Sequence, residues 1–104
     1  MDLSLQTPAD IVKLLCDRLR KERLAKQMTQ ADVAARSGIG VNTVSNLEAG
    51  KNVGFENLVK VAMVLGYGDA LAELFKPKID SLDDILRYEK SAARQRVKRK
   101  SADA

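Results

Sequence analysis

Between Thr29 and Asn52 the chain reads TQADVAARSGIGVNTVSNLEAGKN, and this stretch limits the fold more than any other. Thr29 can cap the open amides of a helix whose inward contacts come from Val33 and Ala34. Ala34 is small enough to let a second helix cross closely. Ser37-Gly38 ends the first helix, Gly38 being suited to a positive φ, and Ile39 plugs the turn. A second helix then runs from about Val41 to Glu48 or Ala49 and stops at Gly50. Its inward face is Val44 and Leu47. Val41 lies on the same side by spacing, yet so early in the helix that it can also face a partner. The pattern is two short helices across a sharp turn, the second presenting small polar side chains.

The flanking sequence supplies the rest of a helical domain. Residues 1–6 read as a lead-in. Thr7 and Pro8 suit an N-cap and first helical position, with Asp10 in the first turn. Ile11, Leu14, Leu15, Leu19 and Ala25 recur at helical spacing and carry this helix to about Lys26. Lys13 with Asp17, and Asp17 with Lys21, are spaced for weak surface pairing. Residues 51–54 form a loop. Phe55, Leu58, Val61, Ala62 and Leu65 mark a fourth helix closed by Gly66. Asp69 is expected to cap a short fifth helix through Leu71, Leu74 and Phe75, with Pro77 as its stop. Ser81, Asp83 and Asp84 can open a last helix through Leu82, Ile85, Leu86 and Tyr88. Beyond Lys90 the apolar period vanishes, so SAARQRVKRKSADA is expected to be mobile rather than packed. The expected class is all-α: a five-helix domain over residues 8–76 and a helical or disordered basic extension over 77–104.

Composition narrows the chemistry. The 104 residues include one cysteine and no histidine, so neither a zinc site nor a Cys–His nucleophile is expected. Cys16, amid IVKLLCDRL, reads as a small apolar core side chain. There is no glycine-rich phosphate loop, and Ser, Lys, Asp and Glu occur without supporting partners. The chain is therefore expected to be no enzyme and to use no cofactor. The opening MDLSLQTPAD lacks the blocks of an export signal and no run is long enough to span a membrane, which implies a cytoplasmic protein. Residues 1–86 carry 11 Lys or Arg against 12 Asp or Glu, whereas residues 87–104 carry 7 against 2. A near-neutral domain with a basic tail favours polyanionic partners.

Arg23, Thr29-Gln30, Ala34, Gly38, Val44-Ser45, Leu47-Glu48 and Gly50 together resemble the pattern of the lambda Cro/C1 repressor family, the XRE-type helix-turn-helix proteins. The resemblance covers roughly residues 11–75. It implies that the first helix of the pair lies across the DNA backbone and the second enters the major groove. Val41, Asn42, Ser45 and Asn46 then correspond to base-facing positions, where Asn can bond adenine and Val41 can meet a thymine methyl. Gln30, Thr43, Lys51 and Asn52 correspond to contacts with the DNA backbone. Arg23 and Glu48 correspond to an internal ion pair joining the first and third helices. Three departures stand out. Gly40 replaces the usual Ser or Thr cap, no Arg is available to read guanine, and Val53-Gly54-Phe55 replaces a Pro-containing loop.

Members of such a family generally dimerise on a palindromic double-stranded operator. The candidate dimer surface is Tyr67, Leu71, Leu74 and Phe75, helped by Leu82, Ile85 and Leu86, although Leu71 and Leu74 fit internal packing equally well. The tail motif Arg94-Gln95-Arg96, followed by Lys98, Arg99 and Lys100, resembles that of HipB-like antitoxins, the partners of HipA-like kinase toxins. The segment NVGFENLVKVAMVLG is also similar to that subgroup. This resemblance implies an autoregulating repressor in a toxin–antitoxin operon. The alternatives are a free-standing or phage-type repressor and a protein-interaction adaptor that binds no DNA.

Overall fold

The first two helices each begin on a threonine tied reciprocally to an aspartate three residues on. Asp10 N donates to Thr7 Oγ1 at 3.1 Å while Thr7 N donates to Asp10. Asp32 N donates to Thr29 Oγ1 at 3.0 Å while Thr29 N donates to Asp32. Such capping boxes satisfy two orphan amides at once. The computed structural model describes residues 6–103, with side chains described through residue 95. Its elements are α1 (Pro8–Ala25), α2 (Gln30–Ser37), α3 (Val41–Glu48), α4 (Phe55–Val64), α5 (Gly68–Glu73) and α6 (Leu82–Asp103). Among the described residues there is no strand, so the all-helical expectation stands.

Helices α1, α3 and α4 stop in the same way. Gln27, Gly50 and Gly66 adopt φ of 57°, 80° and 90°, and the next amide reaches back to a carbonyl inside the last turn: Met28 to Arg23, Lys51 to Asn46, Tyr67 to Ala62. Only the first uses a residue other than glycine. At Gly50 space matters as well as φ, because a Cβ there would lie 3.0 Å from Lys13 Cγ. A side chain at Gly50 would require Lys13 of α1 to give way as well as a strained φ.

The chain divides into two compact units between Leu74 and Phe75. In the first, Leu19, Val33, Ala34, Val44, Leu47, Val61, Ala62 and Leu65 form one buried cluster drawn from α1 to α4 and the close of α4. Cys16 is buried as expected. Ile39 packs on the cluster from the turn, with Met28, Leu58, Tyr67 and Leu71 around it.

Several expectations are corrected. Leu15 and Ala25 are exposed. The inward line of α1 is Cys16, Leu19 and Arg23, shifted round the helix because a buried arginine takes the place of an apolar residue. Phe55, placed in the stripe of α4, is 67% exposed; as the first residue of α4 it precedes the turn that meets the core. Asp69 does not cap α5, whose N-cap is Tyr67 without a side-chain bond. Nor does Pro77 end that helix: α5 closes at Glu73, and Phe75 follows with φ 61°. Of the two surface pairs expected, Lys13 with Asp17 does not form, whereas Asp17 with Lys21 does, at 2.9 Å.

In the second unit Ser81 Oγ accepts from Asp84 N at 3.2 Å, opening α6 as expected. The helix then continues to Asp103 instead of ending near Lys90. Residues 91–100 contain no Gly or Pro and are rich in Ala, Arg, Gln and Lys. Their intrinsic preference sustains a helix without an apolar face to bury. Arg94 is exposed, whereas the side chains of Arg96, Lys98, Arg99 and Lys100 lie outside the described residues.

Candidate nucleic-acid interface

Helix α3 is held by one face. Val44 and Leu47 are almost fully buried, so the helical period turns Asn42 and Ser45 outward, and Val41, the first residue of the helix, lies ahead of the turn that meets the core. All three are exposed, Val41 at 46%. Of the two readings open for Val41, the structure takes the outward one. Thr43 and Asn46 are half-buried at the flanks. Gly40 precedes the helix in extended conformation without a side-chain cap, so the helix start depends on its packing and on the preceding turn.

That turn is built from α2. Gly38, at φ 73°, closes α2, and both Gly38 N and Ile39 N donate to Ala34 O. Ser37 Oγ donates to Val33 O at 2.6 Å, satisfying another terminal carbonyl. Val33 and Ala34 sit in the same cluster as Val44 and Leu47, and this shared packing sets the angle between the two helices.

A buried polar network fastens the pair to α1. Arg23 Nε donates to Glu48 Oε2 at 2.6 Å, and Arg23 Nη2 donates to Glu48 Oε1 at 2.9 Å. The third arm, Nη1, donates to Met28 O at 2.9 Å. The two side chains are only 10% and 4% exposed. Glu48 Oε1 also accepts from Gln30 Nε2 at 3.1 Å. Burial alone would raise the Glu48 carboxyl; hydrogen bonds from Arg23 and Gln30, with the guanidinium charge, outweigh it and hold the group below the usual range. The bonds to Glu48 likewise raise Arg23.

This depression has a pH consequence. The folded pKa of Glu48 lies below its ordinary value of about 4.5. Its contribution to stability is thus complete above that ordinary value and is lost as pH falls through the lower folded one. Urea denaturation over the acid range is expected to show stability falling through this window, with Glu48→Gln showing a shallower fall. Identical pH slopes for the two proteins would contradict the assignment.

After α3 the loop is shaped by asparagines. Asn52 Oδ1 accepts from Gly54 N at 3.3 Å, and Asn57 Nδ2 donates to Val53 O at 2.7 Å. Gly54 itself is at φ 93°. Lys51 and Asn52 are exposed, while Gln30 is half-buried at the start of α2. Behind the loop is a hollow of about 470 Å³, lined by residues that include Val12, Cys16, Leu47, Val53, Phe55 and Leu58. Of the candidate dimer residues, Tyr67 and Leu71 pack against the core, whereas Leu74 and Phe75 are 48% and 88% exposed.

Sequence reasoning missed the bond between Gln30 and Glu48, which are eighteen positions apart, and the third arm of Arg23. No local spacing signals either. The aspartates of the two capping boxes were within reach, since Thr-x-x-Asp occurs at Thr7 and again at Thr29.

Among the described residues no group of acidic or cysteine side chains could hold a metal ion. A family model described as helix-turn-helix matches residues 19–70, half of the chain. No curated protein matches it.

Proposed function

The chain belongs to the helix-turn-helix family of Cro/C1 (XRE) type, whose members are DNA-binding transcription regulators, and on that premise we propose that it is a sequence-specific repressor reading a palindromic operator as a two-fold dimer. The observation that carries this reading is the orientation of α3. Val44 and Leu47 are buried and Val41, Asn42 and Ser45 are exposed. That leaves a short, convex, uncharged helix face of the size that enters a major groove.

In this reading Asn42 and Asn46 bond base edges, Ser45 adds an unselective contact and Val41 meets a thymine methyl. Gln30, Thr43, Lys51 and Asn52 fix the register on phosphates. Asn52 does so through its amide nitrogen, because its oxygen is engaged by Gly54. The absence of an arginine on this face favours A·T-rich half-site positions. Dimerisation would use Leu74 and Phe75, together with the exposed Leu82, Ile85 and Leu86.

Enrichment from a random duplex library, followed by footprinting, tests this. A protected palindrome is expected. Asn42→Ala should weaken binding by about 1–3 kcal/mol and relax preference at one base pair, whereas Lys51→Ala should weaken all sequences evenly and flatten the salt dependence by about one unit. Failure to enrich any sequence would remove the repressor reading and leave a protein-interaction adaptor.

A narrower setting, an autoregulating antitoxin of HipB-like kind, is favoured by the basic run Arg94-Gln95-Arg96 to Lys100 carried on α6. A HipA-like kinase encoded beside this chain, and its co-purification with it, would support that setting. Its absence from the neighbouring genes would favour a free-standing or phage-type repressor.

A further inference from the structure

The reading above gives Gln30 a phosphate contact, and resting on it, we infer that Glu48 is a positioning residue for that contact, acting through the side-chain amide of Gln30. The starting observation is that Glu48 Oε1 is shared. It accepts from Arg23 Nη2 at 2.9 Å and from Gln30 Nε2 at 3.1 Å. Oε2 is taken by Arg23 Nε, so both oxygens of a nearly buried carboxylate are directed. The last residue of α3 thereby holds the first residue of α2.

A glutamine amide has two N–H donors on one end and an acceptor on the other. An unrestrained glutamine near a helix start exchanges the two ends freely. The ionised carboxylate of Glu48 only accepts, so it attracts the nitrogen end of Gln30 and repels the oxygen end. Arg23 keeps Glu48 ionised and fixes its plane with a two-pronged bond. One N–H of Gln30 is consumed inside the network, and the second diverges from it by the planar geometry of the amide. That second donor, beside the open amides of the first turn of α2, is the group that suits a phosphate oxygen. Arg23 thus fixes Glu48, and Glu48 fixes which end of Gln30 meets DNA.

A purely structural alternative is that Gln30 satisfies a lone pair and nothing more. A double-mutant cycle in DNA affinity separates the two. The probes are the duplex enriched as above and a random-sequence duplex at low salt, on which phosphate contacts still register. Gln30→Ala is expected to weaken binding to both roughly 10- to 100-fold, the effect of losing one hydrogen bond to a charged group. Glu48→Gln should cause a comparable loss, because its amide can face either end of Gln30. The double variant should bind no more weakly than the worse single variant. Losses that multiply in the double variant would overturn the proposal.

Two further readouts keep stability apart from positioning. In the wild type the Gln30 side-chain amide protons should be shifted and protected from exchange, and both features should vanish in Glu48→Gln. Arg23→Lys retains a cation beside Glu48, so it should lower the melting temperature yet keep affinity near the wild-type level well below the melt. A loss in Arg23→Lys equal to that in Glu48→Gln, with the Gln30 amide unchanged, would refute the positioning role. Should Glu48→Gln not fold, Glu48→Asp serves in the same cycle. If the wild type binds neither duplex, the repressor reading fails, whereas an unprotected Gln30 amide in the free protein defeats this inference alone.

Discussion

Glu48→Ala is expected to lower the stability of the first unit by about 3–5 kcal/mol, the largest effect of any single polar substitution in it. Glu48 contributes no apolar core, so the loss comes from what it leaves behind. Arg23 is buried on the core-facing side of α1, one turn beyond Leu19, and two of its three donating nitrogens end on Glu48. Without the carboxylate a permanently charged guanidinium remains in a poorly hydrated place, with only Met28 O as acceptor. An unpaired buried charge costs far more than the intact pair contributes. For a domain of this size the melting temperature should fall by on the order of 20 °C. Arg23→Met combined with Glu48→Leu should recover most of the loss, because an apolar pair removes the desolvation problem together with the bond. A thermal melt in which Glu48→Ala alone is neutral would show that the pair is solvated.

Leu47→Ala should cost about 2–5 kcal/mol by a different route. Leu47 is 1% exposed and belongs to the cluster that joins α1, α2, α3 and α4. It is also one of two side chains that seat α3, the other being Val44. Removing its methyl groups loses transfer energy and leaves space that the helices cannot close without tilting α3. Leu47 also lines the hollow beneath the loop after α3, so the new space opens into one that already exists. Water can enter there, and this places the cost nearer the lower end of the range than a sealed cavity would. Affinity for DNA should fall along with stability, since Asn42 and Ser45 are aimed only by the seating of this helix. Chemical denaturation reads the first effect, and binding measured well below the melt reads the second. Stability within about 0.5 kcal/mol of wild type would be incompatible with the packing described.

The two substitutions separate what could be read from sequence from what could not. Leu47 was legible, because Val44 and Leu47 recur at helical spacing between two glycines. Arg23 and Glu48 were legible only as a resemblance, for nothing in the spacing of residues 25 apart announces a bond. Leu15 and Phe55 were misread for one reason: both are apolar, and period alone cannot say which of several apolar residues on a helix meets a neighbour. The length of α6 was not legible for the opposite reason. The missing apolar stripe leaves helix and disorder both open for the extension, whereas helix propensity continues without a stripe when residues such as Ala, Arg and Lys supply it.

By itself the sequence determined where α1, α2 and α6 start and where α2, α3 and α4 stop, since Thr7, Thr29 and Ser81 act on amides three residues away, and Gly38, Gly50 and Gly66 act on carbonyls a few residues back. These effects are local, and the chain reports them directly. It also determined that Val44 and Leu47 face inward from α3, whereas the outward placing of Val41, the third apolar residue of that helix, was decided by the structure. Only the tertiary structure decided that α1 turns Arg23 inward, that Lys13 passes within 3.0 Å of where a side chain at Gly50 would begin, and that Gln30 meets Glu48. These are contacts between helices, set by how the buried cluster packs.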